Sequence, residues 1–474
     1  MTSNTLNRRE FLRLAGAGAV ALSVPFSGLP AWGEDARKPN IVVIIADDLG
    51  YGELSVQGCK DIPTPNVDSI AKKGIRFTNG YVSCPVCSPT RAGLNTGRYQ
   101  QRFGHEFNPG MPGNAVESFG LPLSETFLAA RLKAGGYTTG CVGKWHLGYT
   151  KGYMPLDRGY DEFFGFLGGA HGYIGEGAGE GNHMMRGNDP IDEKEYLTDA
   201  FGRESVAFIE KHKDKPFFLY LAFNAVHSPL QAIDKYLKRF PDIKDQKRRT
   251  FAAMQSAMDD AIGKVLDTVR KNNLEENTII FFVSDNGGPT ASTTSKNDPL
   301  RGFKGEVYEG GIRTPSMVQW PGHIPAGKVY EKPVISLDIA PTALAVAGIK
   351  ADDAKFDGVD LMPFLKGGSG VPHDVLYWRF GPQHAIRKGD WKLLLGPNGD
   401  TGLYNLADDI AETKDLSADK PEKVKELNDL YEKWNSELVP ALWHKQPGAK
   451  QKGVRKNGGK GKGGRKAKQQ EAAQ

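Results

Sequence analysis

One short segment of the chain combines residue types that can do chemistry. Residues 84–98 read C-P-V-C-S-P-T-R-A-G-L-N-T-G-R. Cys84 and Cys87 form a C-x-x-C pair, which can indicate redox activity or a metal site, but the sequence has no second C-x-x-C to complete a zinc site. Ser88 can cap a helix and Pro89 can begin one. We therefore predict that Cys87 lies at a helix N-terminus, where an anion is favoured.

Two pairs of oxygen-bearing side chains each follow an apolar run. Asp47 and Asp48 come directly after one run, and Asp285 and Asn286 come after another. If both runs are strands of one open α/β sheet, the pairs lie at its carboxyl edge, where ligand sites form. Three carboxylates and one amide oxygen suit a hard cation such as Ca²⁺ or Mg²⁺. Either pair alone would be ordinary turn chemistry.

Two lysines and two histidines complete the set of candidate site residues. Lys144 and His146 lie in the hexapeptide G-K-W-H-L-G at 143–148, after a further predicted strand. His227 follows another apolar run, and Lys304 lies in a glycine-rich stretch. A lone lysine or histidine of this kind is usually a surface or core residue, so these four gain weight only from the motifs around them.

The elements that must position these residues alternate along the chain. Apolar runs predict buried strands at 41–46, 217–223 and 278–284. Helical patterns lie at 124–133, 196–212 and 248–271. The alternation predicts an α/β domain with a mostly parallel sheet covered by helices.

The predicted secondary structure changes in the last hundred residues. Short antiparallel strands are predicted at 375–380, 385–387 and 391–395, and a charged helix at about 422–438. We therefore predict a smaller α+β subdomain at 375–444, packed on a catalytic domain at 34–374.

The net charge of +5 over 474 residues belongs to the two ends of the chain. Residues 445–474 carry ten Lys/Arg and one acidic residue, whereas the body at 34–444 is acidic. This tail predicts either a disordered, solvated segment or one that holds the protein to an anionic surface. An acidic body argues against nucleic-acid binding.

The N-terminus has the features of an export signal. Arg8 and Arg9 precede a short apolar stretch at 14–26, and a small-residue site ends at Gly33. This pattern predicts a twin-arginine signal peptide at 1–33, recognised by the twin-arginine export machinery, and a periplasmic or secreted bacterial protein. No other stretch is long and apolar enough to span a membrane, so we do not expect an integral membrane protein. The pairing of Cys59, Cys84 and Cys141 in an oxidising compartment stays open.

The segment at 87–97 resembles the signature C-x-P-x-R-x-x-x-x-T-G of the type I sulfatases at every fixed position. The resemblance is densest over residues 40–320. It implies an alkaline-phosphatase-like fold and conversion of Cys87 to formylglycine by a formylglycine-generating enzyme. The hydrate of this aldehyde would then be the nucleophile that attacks a sulfate ester.

The resemblance also implies a role for each candidate residue. Asp47, Asp48, Asp285 and Asn286 would hold one divalent cation, Ca²⁺ in preference to Mg²⁺. Arg91 would pair with the hydrate and the metal ligands, Lys144 and Lys304 would bind the sulfate, His146 would contact the hydrate, and His227 would protonate the leaving alcohol.

The function that these features favour is hydrolysis of a sulfate monoester, with export favouring a sulfated carbohydrate as substrate. Two alternatives remain at this point. One is a phosphonate monoester or phosphodiester hydrolase of the same superfamily, because some of these enzymes share the formylglycine signature. The other is a sulfated-glycan-binding protein without activity, which is disfavoured because every expected catalytic position is filled.

Overall fold

The structure is a computed structural model that describes residues 37–110, 118–175, 182–351 and 353–444. The predicted signal peptide and the predicted basic tail lie outside these residues. The described strands are β1 Asn40–Ala46, β2 Ile75–Phe77, β3 Gly80–Tyr81, β4 Thr138–Lys144, β5 Glu162–Phe166, β6 Met184–Arg186, β7 Asp189–Ile191, β8 Phe217–Ala222, β9 Thr278–Ser284, β10 Ser316–Gln319, β11 Lys328–Tyr330, β12 Val334–Ile335, β13 Val375–Phe380, β14 Gln383–Lys388, β15 Trp391–Leu395 and β16 Thr401–Asn405.

Ten of these strands form one sheet in the order β11-β2-β10-β9-β1-β8-β4-β5-β6-β7. The five central strands, from β9 to β5, run parallel, and antiparallel strands continue the sheet on both sides. The central strands are almost entirely buried, as expected for apolar runs covered on both faces. The predicted mostly parallel sheet is therefore confirmed.

Helices cover both faces of this sheet. They are α1 Pro65–Lys73, α2 Cys87–Thr96, α3 Leu128–Ala134, α4 Leu197–His212, α5 Asp234–Leu237, α6 Gln246–Lys271, α7 Thr290–Thr293, α8 Glu309–Ile312, α9 Ile339–Val346, α10 Met362–Leu365 and α11 Pro421–Asn435. The helices α4 and α6 pack on one face, in a core that includes Phe201 and Met254. The helices α3 and α9 pack on the other, in a core that includes Leu132 and Leu344. None of the helices in the described ranges is long and apolar enough to cross a membrane.

The strands β13 to β16 form a separate antiparallel meander. Its inner side packs with α11 against the larger part of the chain in a third core, built around Trp378, Leu403 and Trp434. This arrangement confirms the predicted smaller α+β unit. The strand β16 was not predicted.

Several predicted boundaries are wrong. The helix expected from residue 124 begins only at Leu128, and its N-cap residue Phe127 makes no side-chain cap bond. Ser88 does not cap α2 either, because the helix already begins at Cys87 and its N-cap residue is Val86. The last helix ends at Asn435 rather than near 438. All four cysteines have free thiols.

Candidate active site

Cys87 is the first residue of α2 and its side chain is almost completely buried. Its Sγ lies 3.2 Å from Lys304 Nζ and 3.6 Å from Asp47 Oδ1. Burial raises the pKa of the thiol to about 12, so the unmodified side chain is neutral and a poor nucleophile at neutral pH. As predicted, Cys87 lies at a helix N-terminus, where the backbone favours negative charge.

The carboxylates come together because two neighbouring strands end side by side. Ala46 at the end of β1 pairs with Ser284 at the end of β9, so the residues that follow them meet. The backbone N–H of Asp48 donates to Asp285 Oδ1 at 3.3 Å. Asn286 Nδ2 donates to Asp48 Oδ1 at 2.7 Å.

Two ammonium groups neutralise the first carboxylate pair. Lys144 Nζ lies 2.5 Å from Asp47 Oδ2, and Lys304 Nζ lies 2.6 Å from Asp48 Oδ1. Burial by itself would raise the pKa of both carboxyls, but the lysine beside each one, together with the other cationic groups nearby, outweighs burial and holds each pKa below its usual range. Both aspartates are therefore ionised.

Arg91 links the residues that follow β9 to the end of β4. Its Nε and Nη2 donate to Asp285 Oδ2 at 2.9 and 2.7 Å, and its Nη1 donates to the carbonyl of Lys144 at 3.2 Å. The guanidinium is fully buried. Arg91 thus fixes the position of one predicted metal ligand relative to the end of β4.

His146 is buried, whereas 17% of the His227 side chain is exposed. Loss of water around the rings lowers the pKa of both histidines, and Asp48 opposes this shift at His227. His227 Nδ1 lies 2.6 Å from the carbonyl of Ser228, and its Nε2 faces Asp48 Oδ2 at 3.6 Å. His146 has a left-handed backbone with φ of 60°. Its Nδ1 has no hydrogen-bond partner among the described residues.

These residues fit a divalent cation. Single ligand atoms of Asp47, Asp48, Cys87 and His227 lie within 4.8 Å of one another. Asn286 Oδ1 is buried and has no hydrogen-bond partner among the described residues. Because an orphaned amide oxygen beside ionised carboxylates is costly unless something positive faces it, the donor set suits a hard cation. We call the ten predicted residues the site cluster: Cys87, Arg91, Lys144, His146, His227, Lys304, Asp47, Asp48, Asp285 and Asn286.

The loop at 103–108 has a role that sequence reasoning missed. The His, Glu and Asn side chains of this loop predict either contacts with sugar hydroxyls or ordinary turn residues. Instead His105 Nε2 lies 2.6 Å from Ser88 Oγ, and Asn108 Oδ1 accepts from the backbone N–H of Ser88 at 3.1 Å. Glu106 pairs with Arg379. The only signal for this role in the sequence is Ser88, beside Cys87, and its residue type predicts a helix cap instead.

Comparison with known proteins agrees with this geometry. Residues 39–349 match the sulfatase family model, and residues 303–441 match the model of the N-sulphoglucosamine sulphohydrolase C-terminal region. The N-acetylgalactosamine-6-sulfatase of Mus musculus is 33% identical over 83% of this chain and 76% of its own length. Arylsulfatase J of Mus musculus is 32% identical over 92% of this chain and 86% of its own length.

The same relation appears among solved structures. The crystal structure of Ps i-CgsB in complex with k-i-k-neocarrahexaose superposes with a TM-score of 0.81 and 38% identity, covering 86% of this chain and 95% of that one. A family model that spans most of the described catalytic region and relatives that match over most of their length lead to one conclusion: the chain belongs to the sulfatase family.

Proposed function

We propose that this protein hydrolyses sulfate monoesters of carbohydrates with a formylglycine made from Cys87 and one bound divalent cation, Ca²⁺. Family membership makes the chain a sulfuric ester hydrolase. The observation that carries the detailed proposal is the position of Cys87, buried at a helix N-terminus between two lysines and ionised aspartates. The hydrate of formylglycine supplies the hydroxyl that attacks sulfur.

Asp47, Asp48, Asp285 and Asn286 hold the cation in this proposal. All four offer oxygen, which favours Ca²⁺ or Mg²⁺ over softer metals. A cation bound there lowers the pKa of a neighbouring hydroxyl and draws charge from a sulfate oxygen. The unpartnered Asn286 Oδ1 supports this assignment.

The lysines bind the transferred sulfuryl group. Lys304 Nζ already lies next to Cys87 Sγ. Lys144 Nζ lies next to Asp47 Oδ2. Their aspartate partners keep both ammonium groups fixed and charged before substrate arrives. Such preorganised charge stabilises the oxygens of the transition state without a cost of reorganisation.

The histidines move protons. When the sulfur–oxygen bond of the ester breaks, the leaving oxygen keeps both electrons and takes a proton from His227 Nε2. The carboxylate of Asp48, 3.6 Å away, stabilises the protonated imidazole. His146 then takes the proton of the remaining hydroxyl. The carbon–oxygen bond to the sulfate breaks, so that sulfate leaves with the bonding electrons and the aldehyde forms again.

A carbohydrate substrate is supported by the comparisons. One relative is named for N-acetylgalactosamine 6-sulfate, and one solved neighbour is a complex with k-i-k-neocarrahexaose. We further propose that residues 1–33 direct twin-arginine export to the periplasm and that the catalytic domain ends near residue 374. A reporter fused to 1–33 tests the first point, since Arg8→Lys with Arg9→Lys should keep it in the cytoplasm.

The decisive experiment joins chemistry to turnover. Mass spectrometry of the tryptic peptide 77–91 should show formylglycine at position 87, and active enzyme with only unmodified cysteine would contradict the proposal. The enzyme should turn over an aryl sulfate much faster than an aryl phosphonate; the reverse preference would make it a phosphonate hydrolase. Chelation should abolish turnover, and Ca²⁺ should restore it better than Mg²⁺.

Substrate identity is tested with a panel of defined sulfated saccharides. We expect kcat/KM for at least one saccharide to exceed that for the aryl sulfate, because the sugar adds contacts outside the sulfate pocket. Equal or lower values for every saccharide would contradict a carbohydrate substrate.

A further inference from the structure

Ser88 makes two short hydrogen bonds from one hydroxyl group. Its Oγ donates to the carbonyl of His146 at 2.6 Å, and it lies 2.6 Å from His105 Nε2. Ser88 itself is fully buried. The residue next to Cys87 therefore connects the helix N-terminus both to a candidate proton-transfer residue and to the loop at 103–108.

The direction of these bonds follows from proton counting. A hydroxyl has one proton, and a carbonyl can only accept. Since Ser88 donates to His146, it accepts from His105, whose Nε2 must carry a proton. Burial lowers the pKa of His105 to about 3, so the imidazole stays neutral and the chain of two bonds does not change near neutral pH.

His146 requires support from its surroundings. A left-handed backbone is unfavourable for a residue with a Cβ, because the Cβ crowds the following carbonyl oxygen. Its ring is confined on another side by Gly169, where a Cβ would lie 2.6 Å from the ring atoms Cε1 and Nε2. The ring and the carbonyl of His146 are thus held by two separate contacts, and Ser88 supplies the second.

The C-terminal end of the described chain holds the loop in turn. Trp443 Nε1 donates to the carbonyls of Phe107 and Asn108 at 3.0 and 3.2 Å. Its ring lies edge-on to the His105 ring, with centroids 4.8 Å apart. The backbone N–H of Leu442 donates to the carbonyl of Gly104 at 2.9 Å.

We propose that Ser88 and His105 are positioning residues that hold His146 in its reactive orientation, and that Trp443 holds His105 in place for this purpose. The C-terminal unit thereby contributes to catalysis without contacting the substrate. This inference rests on the proposed function, because it concerns the same site.

The test compares matched variants on an aryl sulfate. Ser88→Ala and His105→Phe remove the chain of bonds, whereas His105→Gln keeps a side-chain N–H donor. We expect kcat per formylglycine, counted by mass spectrometry, to fall about tenfold in the first two with KM within about twofold, and His105→Gln to recover most of it. Because both changes break one chain, the double variant should be no worse than either single variant.

Trp443→Phe tests the outer contact. It keeps a ring against His105 but loses the Nε1–H donor, so a fall of about threefold in kcat is expected. Leu442→Ala removes the exposed side chain next to Trp443 and should change nothing. Additive losses, a rise in KM at constant kcat, or losses that follow only the melting temperature would overturn the proposal. Failure of the wild-type enzyme on every sulfate ester would instead refute the proposed function, so the two failures are distinguishable.

Discussion

The site cluster and a second buried group of charges both combine carboxylates with lysine and arginine, but they differ in how their polar atoms are partnered. The second group lies where the C-terminal meander meets the larger unit. We call it the interface cluster, and it consists of Lys392 on β15, Glu309 on α8, Glu412, Arg313 and Tyr81. The interface cluster is almost without solvent exposure, and in the site cluster only Lys304 and His227 have partly exposed side chains, 17% each. The site cluster has polar atoms free to bind a ligand, whereas the interface cluster holds two parts of the protein together.

In the interface cluster the polar atoms face each other. Lys392 Nζ lies 2.9 Å from Glu309 Oε1 and 2.8 Å from Glu412 Oε1. The hydroxyl of Tyr81 donates to Glu309 Oε2 at 2.6 Å, and Arg313 Nη1 donates to the same oxygen at 3.2 Å. Glu412 Oε2 accepts from the backbone N–H of Glu309 at 2.7 Å. Glu412 Oε1 has no hydrogen bond of its own among the described residues, but the Lys392 ammonium faces it as an ion pair. The protein itself thus supplies a charged partner for both carboxylates.

In the site cluster two buried polar atoms, Asn286 Oδ1 and His146 Nδ1, have no partner among the described residues. The lysines there neutralise aspartates that we assign to a cation. A buried charge that is paired by protein groups is compatible with a stable fold only as long as all its partners remain. A charge that is left open is available for binding and catalysis. Substitutions should therefore separate the two clusters by what they damage.

The largest effect is expected at the nucleophile. Cys87→Ala removes the thiol through which the side chain is oxidised to the aldehyde, so kcat/KM for an aryl sulfate should fall by about 10⁴-fold or more. The free energy of unfolding should change by no more than about 1–2 kcal/mol, because only a small buried group is lost. Cys59→Ala is the control and should keep full turnover. Substantial activity in Cys87→Ala would remove the site cluster from the chemistry.

The opposite pattern is expected at the interface cluster. Lys392→Met leaves Glu309 and Glu412 buried without their shared cation, which should lower the free energy of unfolding by about 3–5 kcal/mol. Denaturant titration measures this, with the exposed Lys388→Met as control at no more than about 1 kcal/mol. Under conditions where Lys392→Met stays folded, its kcat should match the wild type. A loss of kcat at normal stability would contradict the structural role.

Lys304→Met, in the site cluster, should lower kcat/KM less than Cys87→Ala does. Loss of an ammonium group that lies 3.2 Å from Cys87 Sγ should lower kcat/KM by about 10²–10³-fold. With Ca²⁺ in excess, its free energy of unfolding should fall less than that of Lys392→Met. Lys296→Met, at a half-exposed lysine that pairs with Asp61 outside the site cluster, should leave kcat/KM unchanged. Equal damage to stability in Lys304→Met and Lys392→Met would abolish the distinction between the clusters.

The site cluster was predictable from the sequence and the interface cluster was not, for a physical reason. Asp47 and Asp285 each follow a buried apolar run, so the sheet rule alone brings them together. Glu309 and Lys392 lie on a short helix and on a strand of the other unit, and no periodicity relates them. Ser88 shows the same limit: its type and position suggested a local cap, whereas its partners are His105 and His146, which lie far away in sequence.

The smallest expected effect is the pH dependence of stability that Glu412 of the interface cluster contributes. Burial raises the pKa of Glu412 from its ordinary value of 4.5 to about 7, whereas the pKa of Glu309, despite its burial, is lowered to about 2 by Lys392 and Arg313. Between pH 4.5 and 7 the folded protein therefore holds a proton on Glu412 that the unfolded chain has lost. The stability that this proton provides is complete below pH 4.5 and is lost as the pH rises through 7.

Glu412→Gln should remove that loss. A glutamine keeps an oxygen for the backbone N–H of Glu309 but cannot ionise, so the free energy of unfolding should lose the part of its fall from pH 4.5 to 7 that Glu412 causes. The contribution of Glu412 in the wild type should fall there by at most about 1.4 kcal/mol per pH unit. The exposed Glu432→Gln should keep the wild-type slope. Parallel curves for the wild type and Glu412→Gln would show that Glu412 is ionised in the folded protein, and the interface cluster would then hold two full negative charges around Lys392, as the site cluster does around its lysines.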